Sequence, residues 1–191
     1  MKIDKSTIVS FILLVLIASL YRVVPGRPMG FAPQIAMALF GGSVISDKKI
    51  SFLLPLLSMF ISDVLYQVLH NYGLTPLSGF YSGQLTNYIL FALITVIGFW
   101  IKKQNVLSII VGSLAGATFY FIASNFCVWA FGGLDINNLP YPKSIAGILT
   151  CYSEAIPFYG NSIIATLLFS GILFGGYYVV NKYWVKRTVI A

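Results

Sequence analysis

From Thr7 to Val180 this chain is a succession of apolar runs separated by short polar or Gly/Pro-bearing joints. That pattern leaves few folds open once the charge content is counted. Only 9% of the 191 residues are charged and 58% are hydrophobic, at a mean hydropathy of +0.88. A soluble domain of this length carries roughly a quarter charged residues. The chain therefore reads as an all-α, polytopic integral membrane protein. Each span needs about 20 residues, so the length suits a single membrane domain over residues 1–191 with about six transmembrane helices.

Six segments qualify as spans: residues 7–24, 29–45, 50–70, 83–101, 106–131 and 161–180. The first ends at a Pro25-Gly26-Arg27-Pro28 turn that cannot continue a helix. The second is short and rich in small residues (Ala32, Ala36, Ala38, Gly41, Gly42), and Pro55 permits a kink in the third. The apolar region from Ser144 to Val180 is too long for one span and carries Pro157. A break is expected there, with a short outer helix over residues 145–156 preceding the sixth span. The N-terminus has the charge and apolar run of a signal peptide but lacks a convincing small-residue cleavage site, so it is read as a retained first span. The tail from Lys182 is basic and expected to fray.

The basic residues orient the bundle. With six spans, Lys2, Lys5, Lys48, Lys49, Lys102, Lys103, Lys182, Lys186 and Arg187 share one side, and Arg22, Arg27 and Lys143 the other. Nine against three assigns the first group, and both termini, to the cytoplasm. The expected location is the bacterial inner membrane. The pI of 9.4 is explained by topology and does not imply nucleic-acid binding.

Within this frame the unusual groups are polar ones inside apolar helices. Asp63, Tyr66, Gln67 and His70 lie within one face of the third span. An ionised Asp facing lipid costs on the order of 3 kcal/mol by insertion scales, so this face should meet protein or water. The orientation also brings Asn125, Asn87 and Glu154 to the outer half, with Arg22 and Arg27 flanking the first outer loop. Asp63, Tyr66, Gln67, His70, Asn125, Glu154 and Arg27 are thus the candidate ligand-binding residues of an outward-facing cavity. The bland reading is a self-neutralising polar collar in which Asp63 and Glu154 pair with Arg22 and Arg27.

Other motifs are weaker. Small-xxx-small spacings at Ala32-Ala36, Gly112-Gly116 and Gly171-Gly175 favour close helix packing, within the bundle more often than to a partner. Aromatics cluster near span ends as interfacial anchors (Trp100, Trp129, Trp184), and a few outer ones could stack on a planar ligand. Cys127 and Cys151 could form a disulfide or stand as two small buried thiols. His70 is the lone histidine, and no metal, ATP-binding or catalytic motif is present, so neither cofactor nor enzyme activity is expected.

The segments RPMGFAPQIAMALFGG, PLLSMFISD, YPKSIAGILTCYSEAIPF and LFSGILFG resemble a group of small uncharacterised bacterial inner-membrane proteins. That group in turn is similar to the substrate-binding components of energy-coupling-factor vitamin transporters. The resemblance covers residues 20–176. It implies capture of a vitamin-like small molecule from outside, capped by the loops at residues 24–29 and 71–82 with 132–143 contributing. It also implies a transmembrane coupling subunit and cytoplasmic ATPases as partners. Such components dock through an alanine-x-x-x-alanine face on the first span, where this chain has only Ala18; its nearest match is Ala32-Ala36. A small-molecule importer subunit is the leading expectation. A structural or assembly membrane protein, or an enzyme subunit at the outer leaflet with Glu154 or Asp63 as general acid or base, are the alternatives.

Overall fold

The computed structural model describes residues 5–182, which form seven helical segments and one isolated antiparallel bridge between Leu134 and Pro140. The helices are α1 (Lys5–Arg22), α2 (Gln34–Val44), α3 (Lys48–Ser51), α4 (Leu53–Asn71), α5 (Gln84–Gly98), α6 (Val106–Ala130) and α7 (Ile145–Val180). Three starts are fixed by side chains that satisfy otherwise orphaned backbone donors. Asp47 accepts from the N–H groups of Lys49 and Ile50, Asn105 from Ser108 and Ser144 from Gly147.

The short helix α2 is the axis of the bundle. Every residue from Gln34 to Gly42 is buried, and α2 packs against α4, α5, α6 and α7. Its sequence explains how one helix meets so many neighbours. Small residues let backbones approach where larger side chains would hold them apart. A Cβ on Gly42 would overlap the Thr95 carbonyl and the Gly98 backbone, and one on Gly98 would overlap the Leu39 backbone. The α2–α5 crossing is thus a reciprocal glycine contact. Around it Met37, Leu39, Leu54, Met59 and Ile94 are almost wholly buried and fill the core.

Several expectations are corrected. Of the six expected spans, three helices are long and apolar enough to cross a membrane: Lys48–Asn71, Val106–Ala130 and Ile145–Val180. The second expected span shortens because residues 29–33 form a loop containing Gly30 at φ +80° and ending in Pro33. In the third, the irregularity falls at Phe52, between α3 and α4. Pro55 has no N–H for the Ser51 carbonyl, so the helical ladder opens just there. The short outer helix 145–156 does not exist as a separate piece. Instead, α7 runs unbroken through Pro157 for 36 residues. Packing of α7 along α6 and α2 supports the helix across the one missing donor.

The small-residue pairs divide. Gly112 and Gly116 face Ile101 and Leu39 inside the bundle, and Ala36 is wholly buried. Gly171 and Gly175 have no neighbour within 4 Å of an added Cβ. Both cysteines are free, Cys151 buried and Cys127 half-buried, as in the two-thiol reading. The basic tail beyond Lys182, with Trp184, lies outside the described residues.

The reciprocal crossing gives a clear test. Gly42→Val should destabilise the protein by on the order of 3 kcal/mol, because backbone atoms must move to admit the side chain. Gly175→Ala should leave stability within about 0.5 kcal/mol. Thermal unfolding of the purified proteins in one mild detergent compares the two.

Candidate functional site

The polar groups gather where α1, α4 and α6 end and α2, α5 and α7 begin, here termed the upper end. Their centre is Arg22, the last residue of α1. Its Nη1 forms an ion pair with Asp63 Oδ1 on α4, donates to Ser62 Oγ at 2.6 Å, and reaches the Met59 carbonyl at 3.4 Å. The second Asp63 oxygen accepts from Gln84 Nε2 at 2.7 Å and Tyr88 Oη at 2.8 Å, both on α5. Asp63 is only 1% exposed. A buried carboxylate is tolerable when paired and fully hydrogen-bonded, and both conditions hold here.

Two further predicted residues join this cluster through the Arg22 backbone. The Arg22 carbonyl accepts from Tyr66 Oη at 2.6 Å and from Arg27 Nε at 3.2 Å. Arg27 Nη1 also donates to the carbonyls of Phe31 at 2.6 Å and Pro28 at 3.3 Å. The guanidinium thus organises the α1–α2 loop without meeting a carboxylate among the described residues. That loop is tied down to α7. Asn161 Nδ2 donates to the Met29 carbonyl at 2.9 Å and Ser162 Oγ to the Gly30 carbonyl at 3.0 Å. Gly30 lies so close that an added Cβ would sit 2.5 Å from the Phe158 carbonyl oxygen.

Beneath the loop lies a cavity of about 270 Å³. Arg22, Arg27, Asn87, Tyr81 and Tyr120 contribute its polar lining, with Met59 and Phe91 as apolar walls. Tyr120 Oη donates to Asn87 Oδ1 at 2.9 Å, and Asn87 Nδ2 donates to Tyr81 Oη at 2.5 Å. Gln34, at the start of α2, also lines the cavity and is 3% exposed. Its Nε2 reaches the Ala18 carbonyl at 3.4 Å, while its Oε1 has no hydrogen-bond partner. Turning the amide over would set two acceptors against each other, so the Ala18 carbonyl fixes Oε1 as the orphan. Leaving a buried acceptor unsatisfied costs about 1–3 kcal/mol.

Two larger hollows differ in kind. One of about 520 Å³ between the upper ends of α5 and α6 is lined by residues such as Ser82, Ser124, Cys127 and Phe131, none of them buried. Another of about 590 Å³ lies between α6 and α7 at the opposite end, and its buried hydroxyls, Ser113 and Ser170, bond each other at 2.9 Å. Of these three, the cavity under the α1–α2 loop is the one lined by arginines, together with the buried Gln34.

The remaining predicted residues are elsewhere. Gln67 Oε1 accepts from Ser78 Oγ at 3.0 Å and Phe80 N at 3.2 Å, so Gln67 holds the α4–α5 loop. His70 is exposed, with Nδ1 3.1 Å from the Thr75 carbonyl, an acceptor that makes Nδ1 the protonated nitrogen. Asn125 Nδ2 donates to the Phe121 carbonyl of its own helix at 2.7 Å. Glu154 accepts from Tyr141 Oη at 2.6 Å. Burial first, then this bond, raises the Tyr141 phenol above its ordinary pKa of 10.0. That contribution to stability is complete below pH 10 and is lost only as pH rises further. In the loop below, backbone N–H donors from Leu139 and Asn137 lower the pKa of Asp135 and fasten a tight turn.

Sequence reading missed Gln34, Gln84, Tyr88, Tyr120 and Ser162. Gln84, Asn87 and Tyr88 carry the signal of a shared helix face at i, i+3 and i+4. Gln34 carries the signal of one amide in an otherwise apolar, small-residue helix.

The ion pair is open to a double-mutant cycle. Asp63→Ala strands Arg22 and should cost about 3–5 kcal/mol, whereas Arg22→Met with Asp63→Ala should recover a large part of that loss. Thermal unfolding of the wild type, the two single variants and the double variant measures the coupling.

No curated protein matches the chain. No solved structure matches it. A family match, by contrast, covers residues 2–188, and the chain belongs to that family, DUF6580, a family of unknown function.

Proposed function

We propose that this protein is the membrane-embedded substrate-binding subunit of a small-molecule importer, capturing its ligand from the extracytoplasmic side. The observation that carries this reading is a cavity lined by Arg22, Arg27 and Gln34, in which Arg27 meets no carboxylate among the described residues. A polar collar serving only as internal glue accounts for Asp63, whose oxygens are all satisfied. It gives no account of Arg27, a second guanidinium on the same cavity with no carboxylate partner among the described residues. A bound molecule supplies the missing acceptor.

Membrane placement rests on apolar surface as well as on helix length. Leu57, Phe60, Val64 and Val68 form an exposed stripe on α4, and Ile164, Leu168 and Ile172 form one on α7. Stripes at helical spacing with nothing packed on them suit lipid contact. In the proposed arrangement α3 with α4, α6 and α7 cross the bilayer, and the shorter α1, α2 and α5 complete the bundle between them. The nine-to-three distribution of basic residues supports an outward upper end with both termini in the cytoplasm.

The likeness to energy-coupling-factor substrate-binding components adds a division of labour. Two of the three loops implicated by that likeness border the cavity: the α1–α2 loop through Arg27 and Met29, and the α4–α5 loop through Tyr81. The ATPases and the coupling subunit would be other chains. Ala18 and Ala36 are buried, so a docking face would use other residues. The open Gly171 and Gly175 of α7 have the small side chains such a face needs.

Gln34→Met separates binding from folding. It removes an unsatisfied acceptor and one long hydrogen bond, so thermal stability should be unchanged or raised by about 1 kcal/mol. Native mass spectrometry of the wild-type protein, purified in mild detergent from its own host, should show a bound small molecule that Gln34→Met lacks. Identical, empty spectra from the two proteins would contradict the proposal.

A further inference from the structure

We infer that the groove between α6 and α7 at the lower end, opposite the Arg22 cluster, seats one anionic phospholipid, with its phosphate at Lys103 and an acyl chain along Gly171 and Gly175. The groove encloses about 590 Å³, and its lining passes from polar to apolar along its length. Lys103 and Gln104, just before the start of α6, line one end. Beyond them come Ile109 and Ile110 of α6 and Leu167 and Phe174 of α7. Gly171 and Gly175 have no neighbour within 4 Å of an added Cβ, so the space beside α7 is unfilled by protein. The buried hydroxyls of Ser113 and Ser170 bond each other and make no demand on an occupant. A charged end and an apolar body are the two halves of a lipid.

Charge selects the headgroup. Lys48, Lys49, Lys102 and Lys103 all lie at the lower end, where Asp47 is the one acidic residue among those described, and its carboxylate caps α3. Lys103 forms no ion pair among the described residues; its Nζ lies 5.2 Å from the centre of the Tyr177 ring. A phosphate beside it meets an uncompensated cation, worth about fivefold in affinity for a lysine at an anionic lipid surface. Length selects a lipid over a partner helix, the other body that a glycine-lined groove admits. The lining covers roughly 10 Å of the α6 axis, from Val106 to Ser113, and roughly 17 Å of α7, from Leu167 to Tyr178. One leaflet contributes about 15 Å of hydrocarbon, half of what a crossing helix must lie against. Above Ser113 the groove is shut. Thr118 Oγ1 and Tyr159 Oη share a hydrogen bond of 2.8 Å, and the Phe121 and Tyr159 rings stack with centroids 4.4 Å apart. The groove thus ends where an acyl chain of that leaflet ends.

Native mass spectrometry of the full-length protein in mild detergent, titrated with phosphatidylglycerol or phosphatidylcholine, is the test. The wild type should take up one phosphatidylglycerol about fivefold more tightly than phosphatidylcholine. Gly171→Leu, which fills the groove, should lose that adduct; Gly175→Leu takes its place if thermal unfolding shows the first variant not to fold. The preference should fall to within about twofold in Lys103→Gln and persist in Lys103→Arg. Lys49→Gln, at an exposed lysine of the same end that does not line the groove, should leave it unchanged. An equal loss in Lys49→Gln and Lys103→Gln would make the attraction diffuse and overturn the site. So would a phosphatidylglycerol adduct that survives in the folded leucine variant, or no preference between the two lipids. A wild-type dimer that Gly171→Leu turns into a monomer, with no lipid retained by either, would give the groove to a second copy of the chain and overturn the proposal.

Discussion

The architecture of the upper end depends on the ion pair between Arg22 and Asp63. An aspartate two-thirds of the way along an apolar helix has to be neutralised or hydrogen-bonded, since an isolated buried charge is far costlier than any packing gain. The chain answers with an arginine at the end of α1 and with Gln84 and Tyr88 from α5. Three helices are thereby fixed to one point. Because Asp63 is used up in this way, Arg27, five residues beyond Arg22, meets no carboxylate among the described residues. It turns instead to backbone carbonyls of its own loop and keeps its charge beside the cavity.

The second constraint is steric. A helix of 11 residues can be the axis of a bundle only if its neighbours come close on every side, and α2 manages this with Gly41, Gly42, Ala36 and Ala38. The same shortness creates the cavity. α2 starts at Gln34, below the ends of its longer neighbours, and the loop from Val23 to Pro33 must bridge the space above it. Two hydrogen bonds from α7 and the close fit of Gly30 keep that loop in place as a cover. Gln34 is the first helical residue beneath the cover and carries the unsatisfied oxygen. The cavity is in this sense a by-product of how the core is packed.

Much of this was readable from residues alone, and the failures are instructive. The all-helical class and most helix limits follow from apolar runs and caps. The polar face of α4 was visible at helical spacing, and the Arg22–Asp63 pairing was one of the partnerships considered. Periodicity could not tell which polar residues meet, because that depends on helix rotation and on crossings set by glycines far away in sequence. Gln67 and His70 share the face of Asp63 yet hold a loop, since the face extends past the end of the neighbouring helices. Asn125 bonds within its own helix and Glu154 holds Tyr141, so neither meets Arg22. Pro157 illustrates the limit of local rules: its missing donor breaks an isolated helix but not one supported along its length by α6.

The binding site turns on what occupies the space between Gln34 and Arg27. An experimental density map of the protein purified from its own host, at a resolution that separates water from larger groups, looks there directly. A captured ligand predicts continuous non-protein density in the cavity, within hydrogen-bond distance of the Arg27 guanidinium. Water alone in that space would contradict it.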